Sequence, residues 1–243
     1  MATIALGSDG DVAPGLPDIS ATELPFETEQ LRAELARFLN QPFLFGSGPP
    51  LRLGSIKWGV YAFFDYDNEP IYVGQTKEKL GTRIRRHLTN QRTDAVAMNV
   101  LDPFEVHSIA VWPLPEFEGR SAKDPSAIAH LNALEHSVFQ QLLERSEFDA
   151  VLNEKDPPAP TVKVEIPPHV RGVVVSAGVS QLRGHPDLRI ARRAATLAKL
   201  AQVVSERKVQ RGLRRTLLAQ AKRLQALAQR RYDHAVDQPL DED

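Results

Sequence analysis

Trp58-Gly-Val-Tyr-Ala-Phe-Phe64, Asp65-Tyr-Asp-Asn-Glu69 and Pro70-Ile-Tyr-Val-Gly74 are three consecutive stretches whose reading decides the fold. Aromatic and β-branched residues fill the first and third, and turn-forming side chains fill the second, which predicts a β-hairpin over 57–76. Lys77–Gln91 is predicted as a helix, with Leu80, Ile84 and Leu88 on one face and Arg83 and His87 one turn apart. Phe104–Leu114 is predicted as a third strand: Phe104 and Val106, then Ile109 and Val111, alternate in two runs that slip phase near Ser108, as a bulge would produce. Ala127–Leu143 carries Ile128, Leu131, Leu134, Val138, Phe139 and Leu142 at helical spacing. Strand, strand, helix, strand, helix predicts a small α+β domain over 57–155.

Outward from this domain the chain of 243 residues changes character. Residues 1–20 lack periodicity and read as disordered. Residues 21–56 hold a helix over 26–39, with Glu27 and Glu29 near its start where the helix dipole favours them, and then a loop over 45–55. Asp156-Pro-Pro-Ala-Pro160 breaks the chain. Residues 156–186 read as a linker or docking segment with a short apolar run, Val173-Val-Val175, and 187–232 as one or two helices with Gly212 as a candidate break. Residues 233–243 form an acidic tail.

Hydrophobic residues make up 42% and charged residues 25%, which excludes wholesale disorder. The absence of cysteine excludes a disulfide scaffold, a cysteine-ligated zinc site, an iron–sulfur cluster and a thiol nucleophile. No apolar run approaches the ~20 residues of a membrane span, and the first residues lack a basic signal region, so a cytoplasmic protein is expected. The histidines other than His87 (His107, His130, His136, His169, His185, His234) show no zinc spacing. Gly46-Ser-Gly-Pro-Pro50 is followed by neither Lys-Ser/Thr nor a helix, so no nucleotide cofactor is expected.

The net charge of −1 hides an asymmetry: residues 183–231 hold fourteen basic and two acidic residues, net +12. Apolar positions recur beside them at Ile190, Ala194, Leu197, Ala201 and Val204, and later at Leu213, Leu217, Leu224 and Leu227. Such a stripe must be buried, on the α+β core or on a second protomer, which makes a homodimer through these helices one expectation. The opposite face, with Arg192, Arg193, Arg207, Lys208, Arg211, Arg214 and Arg215, is then read as a phosphate-binding surface for DNA.

Gly59-Val-Tyr61 and, ten residues on, Tyr72-Val-Gly74 resemble the signature of the GIY-YIG nuclease superfamily. Leu80-Gly-Thr-Arg83-Ile-Arg-Arg-His87-Leu88 is similar to the family's first helix, Leu134-Glu135 to its metal-binding glutamate, and Leu152-Asn153 to its closing asparagine. The order of elements also resembles the family's. This implies a small mixed three-stranded sheet with flanking helices, followed by a mainly helical C-terminal region. It further implies a metal-dependent endonuclease with Tyr61, Tyr72, Arg83, His87, Glu135 and Asn153 in its active site, and Glu135 as the protein ligand of Mg²⁺ or Mn²⁺.

These residue types suit that chemistry. Phosphodiester hydrolysis needs an oriented water and neutralised phosphate oxygens. A cation held by a hard oxygen ligand can polarise the phosphate, and a guanidinium offers planar, permanently charged donors. Val60 and Val73 stand where the family's name has isoleucine, and Gln75 follows the second motif where many members have lysine. The Arg83–His87 spacing resembles that of restriction endonucleases, so restriction or phage defence is the first expected role and repair or recombination cleavage the second. An inactive nucleic-acid-binding protein and a helical scaffold are the alternatives outside the class.

Overall fold

The computed structural model describes residues 26–89, 100–153, 155–206 and 211–237. Helix α1 spans Phe26–Asn40, and a two-residue ribbon, β1 (Pro42–Phe43) with β2 (Leu51–Arg52), follows it. The hairpin is β3 (Gly59–Phe64) and β4 (Pro70–Thr76). Then come α2 (Leu80–Thr89), β5 (Ser108–Pro113), α3 (Pro125–Arg145), β6 (Val170–Val173), α4 (Ala177–Gly184), α5 (Pro186–Glu206) and α6 (Arg211–Asp237). None of these helices is long and apolar enough to cross a membrane.

The main sheet has the order β4-β3-β5-β6, and every pair in it is antiparallel. The expected mixed, three-stranded sheet is therefore corrected to four antiparallel strands. The fourth strand is Val-Arg-Gly-Val at 170–173, three residues before the expected position, and Val174 and Val175 are buried beyond it. The expected bulge near Ser108 is also corrected. Asp102 caps a 3₁₀ turn at Pro103–Glu105, so the early phase of the alternation belongs to a turn, and β5 begins cleanly at Ser108. The register shift lies instead between Phe63 and Phe64, opposite Ile71.

Strand alternation gives the sheet two apolar faces. Tyr61, Phe63, Ile109 and Val111 face a cluster built from α1, α2 and the C-terminal helices, including Leu35, Leu80, Ile84, Leu200 and Leu213. Val60, Ala62, Ala110 and Trp112 face α3 through Leu131, Leu134 and Val138. Helix α3 starts where Asp124 accepts from the backbone N–H of Ser126 and Ala127, with Pro125 in its first turn.

The C-terminal helices pack back onto the same chain. Leu200, Leu213 and Ala219 enter the first core cluster; of the stripe that motivated a homodimer, Leu213 and Leu227 are buried within the chain, Ile190, Leu197 and Val204 are half-buried, and Ala194 and Ala201 are exposed. On α5 the buried positions are Arg189, Arg193 and Leu200, one residue out of phase with the apolar stripe Ile190–Ala194–Leu197–Ala201. One residue is 100° of helix rotation, enough to turn the arginines inward. The cause is acidic. Asp65 in the β3–β4 turn accepts from Arg193 Nη2 at 2.8 Å and Arg223 Nη2 at 2.5 Å, Asp67 pairs with Arg189, and Glu105 pairs with Arg192 and Arg193. Arg193 is thus an interior ion-pair residue, which corrects its reading as part of a phosphate-binding face.

Candidate active site

Tyr61 lies in the middle of β3 opposite Gly74, and Phe63 lies opposite Tyr72. Because Tyr61 and Phe63 are two residues apart on one strand, this pairing puts both tyrosines on one face. Their ring centroids are 6.3 Å apart, and the Tyr72 ring is 5.1 Å from that of His87. Tyr61 is fully buried and Tyr72 half-buried.

The Tyr61 phenol crosses over β4 at Gly74. A Cβ at position 74 would stand 2.6 Å from the Tyr61 hydroxyl oxygen and 2.7 Å from Cζ, so only glycine leaves room for it. Gly74→Ala is expected to push the phenol aside and to cost about 1–3 kcal/mol of stability. Denaturant melts of the two proteins check this.

Helix α2 brings Arg83 and His87, one turn apart, to the same hydroxyl. Arg83 Nε donates to the Tyr61 oxygen at 3.2 Å, and His87 Nε2 lies 2.8 Å from it. Burial, and then the charges of Arg83 and Arg86, lower the His87 pKa to about 3, so the imidazole is neutral. With Arg83 donating, the phenol's own proton is directed to Nε2. Burial, reinforced by Tyr72, also raises the Tyr61 pKa well above that of an ordinary tyrosine, against the opposing pull of Arg83. The phenol is therefore neutral as well.

Glu135 approaches from the opposite face of the sheet, on α3, at the β4 edge. It is half-buried and electrostatically coupled to Arg83 and Tyr61. Burial raises its pKa to about 7, against the lowering effects of the Gln75 amide and the Arg83 charge. Asn153 is buried and occupies the backbone edge of β4. Its Oδ1 accepts from Val73 N–H at 3.0 Å and its Nδ2 donates to Val73 C=O at 2.8 Å. Both hydrogen bonds go to the strand between Tyr72 and Gly74, so the side chain fixes the platform that carries the tyrosines.

Few side chains here could serve as donors to a divalent cation. Among the described residues no group of three or more His, Cys, Asp or Glu could hold a metal. Glu135 is a carboxylate that burial penalises unless a cation balances it, and Gln75 Oε1 beside it is buried without a hydrogen-bond partner. One carboxylate with oxygen neighbours fits Mg²⁺ or Mn²⁺, which bind through one or two carboxylates and keep several waters.

The residues of the basic segment scatter. Arg211 and Arg214 are exposed, Arg215 is paired with Asp156, Arg192 is half-buried against Glu105, and Arg207 and Lys208 lie outside the described residues. Sequence reasoning missed Asp65 and Gln75. Asp65 read only as a turn residue, and Gln75 only as a lost lysine. The available signal was position: one ends β3 and the other directly follows Gly74.

Comparison with curated proteins and with solved structures returns no match. Residues 57–116 match the family model described as the GIY-YIG catalytic domain. That interval runs from the residue before Trp58 through β5 and includes Tyr61, Tyr72, Gly74, Arg83 and His87. Over those residues the protein carries a domain similar to the GIY-YIG catalytic domain, which is that of a nuclease-type endonuclease.

Proposed function

We propose that the protein is a metal-dependent endonuclease that hydrolyses phosphodiester bonds in DNA, with restriction or defence against foreign DNA as its first assigned role. The observation that carries this reading is the Tyr61 hydroxyl, held between Arg83 Nε and His87 Nε2 at the edge of the sheet where Glu135 approaches. The restriction assignment rests on the Arg83–His87 spacing alone.

Glu135 would hold Mg²⁺ or Mn²⁺, which when bound supplies Lewis-acid polarisation of the phosphate. Arg83 is half-buried and its charge is reinforced by Tyr61, so it can share its guanidinium between the phenol and a phosphate oxygen. Tyr72, at the more open side, positions the phosphate. Tyr61 and His87 orient the attacking water. Burial leaves the phenol protonated and the imidazole a weak base, so charge neutralisation lowers the barrier more than proton abstraction does. Asn153 keeps β4 in place. The exposed Arg211 and Arg214 are the described members of the basic segment best able to meet DNA phosphates. An inactive nucleic-acid-binding protein is disfavoured, because Arg192 and Arg193 of its supposed binding surface are spent on Glu105 and Asp65.

The test is nicking of supercoiled plasmid with Mg²⁺ by wild type and by Glu135→Ala, with sequencing of the ends. Cleavage by the wild type alone supports the reading, and equal cleavage by both defeats it. A pH experiment adds to this. Because the Glu135 pKa is raised to about 7, its carboxylate is mostly protonated at pH 6 and mostly ionised at pH 8. A cation competes with that proton, so Mn²⁺ affinity is expected to rise roughly tenfold between those pH values, with proton release on binding. Calorimetry in buffers of different ionisation heat measures both.

A further inference from the structure

Three consecutive residues of β4 are each held by a different element: Val73 by Asn153, Gly74 by the Tyr61 phenol lying over it, and Gln75 by α3. Gln75 pairs across the sheet with Val60, whose side chain belongs to the α3 face. Its Nε2 donates to Asn132 Oδ1 at 2.8 Å, and the same amide reaches the Glu135 carboxylate. Asn132 and Glu135 are three residues apart on α3 and so lie on one face, a turn from each other. An amide NH₂ carries two hydrogens, and here two acceptors on adjacent turns face it. Its carbonyl oxygen Oε1 makes no hydrogen bond within the protein.

We infer that Gln75 is a positioning residue for metal binding: it ties the strand that carries Tyr72 to the helix that carries Glu135 and fixes the carboxylate for the cation. This rests on the reading of Glu135 as the metal ligand. Asn132 anchors the amide, and the amide orients the carboxylate. Outer partners of this kind set metal affinity by 10–100-fold in other sites. Methionine at position 75 preserves length and packing but removes both donors and the acceptor.

The experiment titrates the full chain with Mn²⁺, following the signal of free Mn²⁺ by electron paramagnetic resonance, in wild type, Gln75→Met and Glu135→Ala. Thermal melts are recorded without metal, and plasmid cleavage is measured at rising Mn²⁺. The expected result is a Kd raised about tenfold or more in Gln75→Met, with kcat mostly recovered at saturating Mn²⁺ because the carboxylate itself remains. Asn132→Ala removes only the anchor and serves as the milder variant should Gln75→Met fold poorly; its Kd is expected to rise less. Unchanged Mn²⁺ affinity in a folded Gln75→Met, while Glu135→Ala loses binding, overturns the inference alone and leaves a merely structural tie between β4 and α3. A wild-type chain that binds no Mn²⁺, or a Glu135→Ala chain that binds it as well as wild type, overturns the metal reading and this inference with it.

Discussion

Asp65→Asn is expected to destabilise the protein by about 3–5 kcal/mol, the cost of leaving buried charges without their partner. Asparagine is nearly isosteric and keeps an oxygen able to accept from the turn, where Oδ1 now receives the backbone N–H of Asp67 and Glu69 at 2.8 and 2.9 Å. What it removes is the negative charge at Oδ2, on which Arg193 and Arg223 converge, with Arg189 at 3.5 Å. All four side chains are buried, and Arg223 already has Nε and Nη1 without partners. Arg193 keeps Glu105 and Arg189 keeps Asp67, but Asp65 is the one carboxylate paired with Arg223 among the described residues, so the destabilisation should far exceed the 0–1 kcal/mol typical of an exposed pair. Arg215–Asp156, an exposed bidentate pair, is the internal control. Asp156→Asn should shift the urea midpoint little. Adding Arg223→Met to Asp65→Asn should recover part of the loss, since an apolar side chain tolerates that interior better than an unpaired guanidinium. Urea melts of the four proteins measure this, and a loss below 1 kcal/mol in Asp65→Asn would show that the cluster does not dock the C-terminal helices.

The same cluster explains what the sequence could and could not convey. Local periodicity exposed the hairpin, α2 and α3, because each buries a side whose pattern closes within a few residues. The tyrosines and the Arg83–His87 pair were legible because family spacing and local period agree on them. Strand β6 was not: Val-Arg-Gly-Val is short, alternates half-buried with exposed positions, and becomes a strand only because β5 offers it an edge. The inward turn of Arg189, Arg193 and Arg223 is not legible for a related reason. A segment charge of +12 is a local sum, whereas the acids that neutralise Arg189, Arg193 and Arg223 stand at 65, 67 and 105, far off in the chain. The phase of a helix was set by distant carboxylates over its own apolar stripe.

Tyr61→Phe is expected to lower cleavage by 10²–10⁴-fold, the range for loss of a positioned proton-transfer or water-orienting group, while the fold survives. The ring packs between Phe63, Tyr72 and His87 and is retained. Only the hydroxyl goes, and with it the group shared by Arg83 and His87. A pH series separates this chemical role from the structural cost of burying His87. The His87 pKa is lowered from 6.5 to about 3, so the unfolded chain binds the extra proton first, and its contribution to stability is complete above pH 6.5 and is lost as pH falls toward 3. The loss can reach roughly 1.4 kcal/mol per pH unit within that window. Glu135 acts with the opposite sign: its pKa is raised from 4.5 to about 7, so its contribution is fully present below about 4.5 and is lost as pH rises through 7. The His87 part must therefore be read as the difference between wild type and His87→Gln, which keeps a polar partner for the phenol but does not titrate. That difference should grow as the solution is acidified below pH 6.5, in the wild-type and Tyr61→Phe backgrounds alike, because burial and the charges of Arg83 and Arg86, not the phenol, lower the His87 pKa. Cleavage by contrast should fall in Tyr61→Phe at every pH. If Tyr61→Phe cuts DNA at the wild-type rate, the hydroxyl between arginine and histidine is a packing feature and the proposed water-orienting role is wrong.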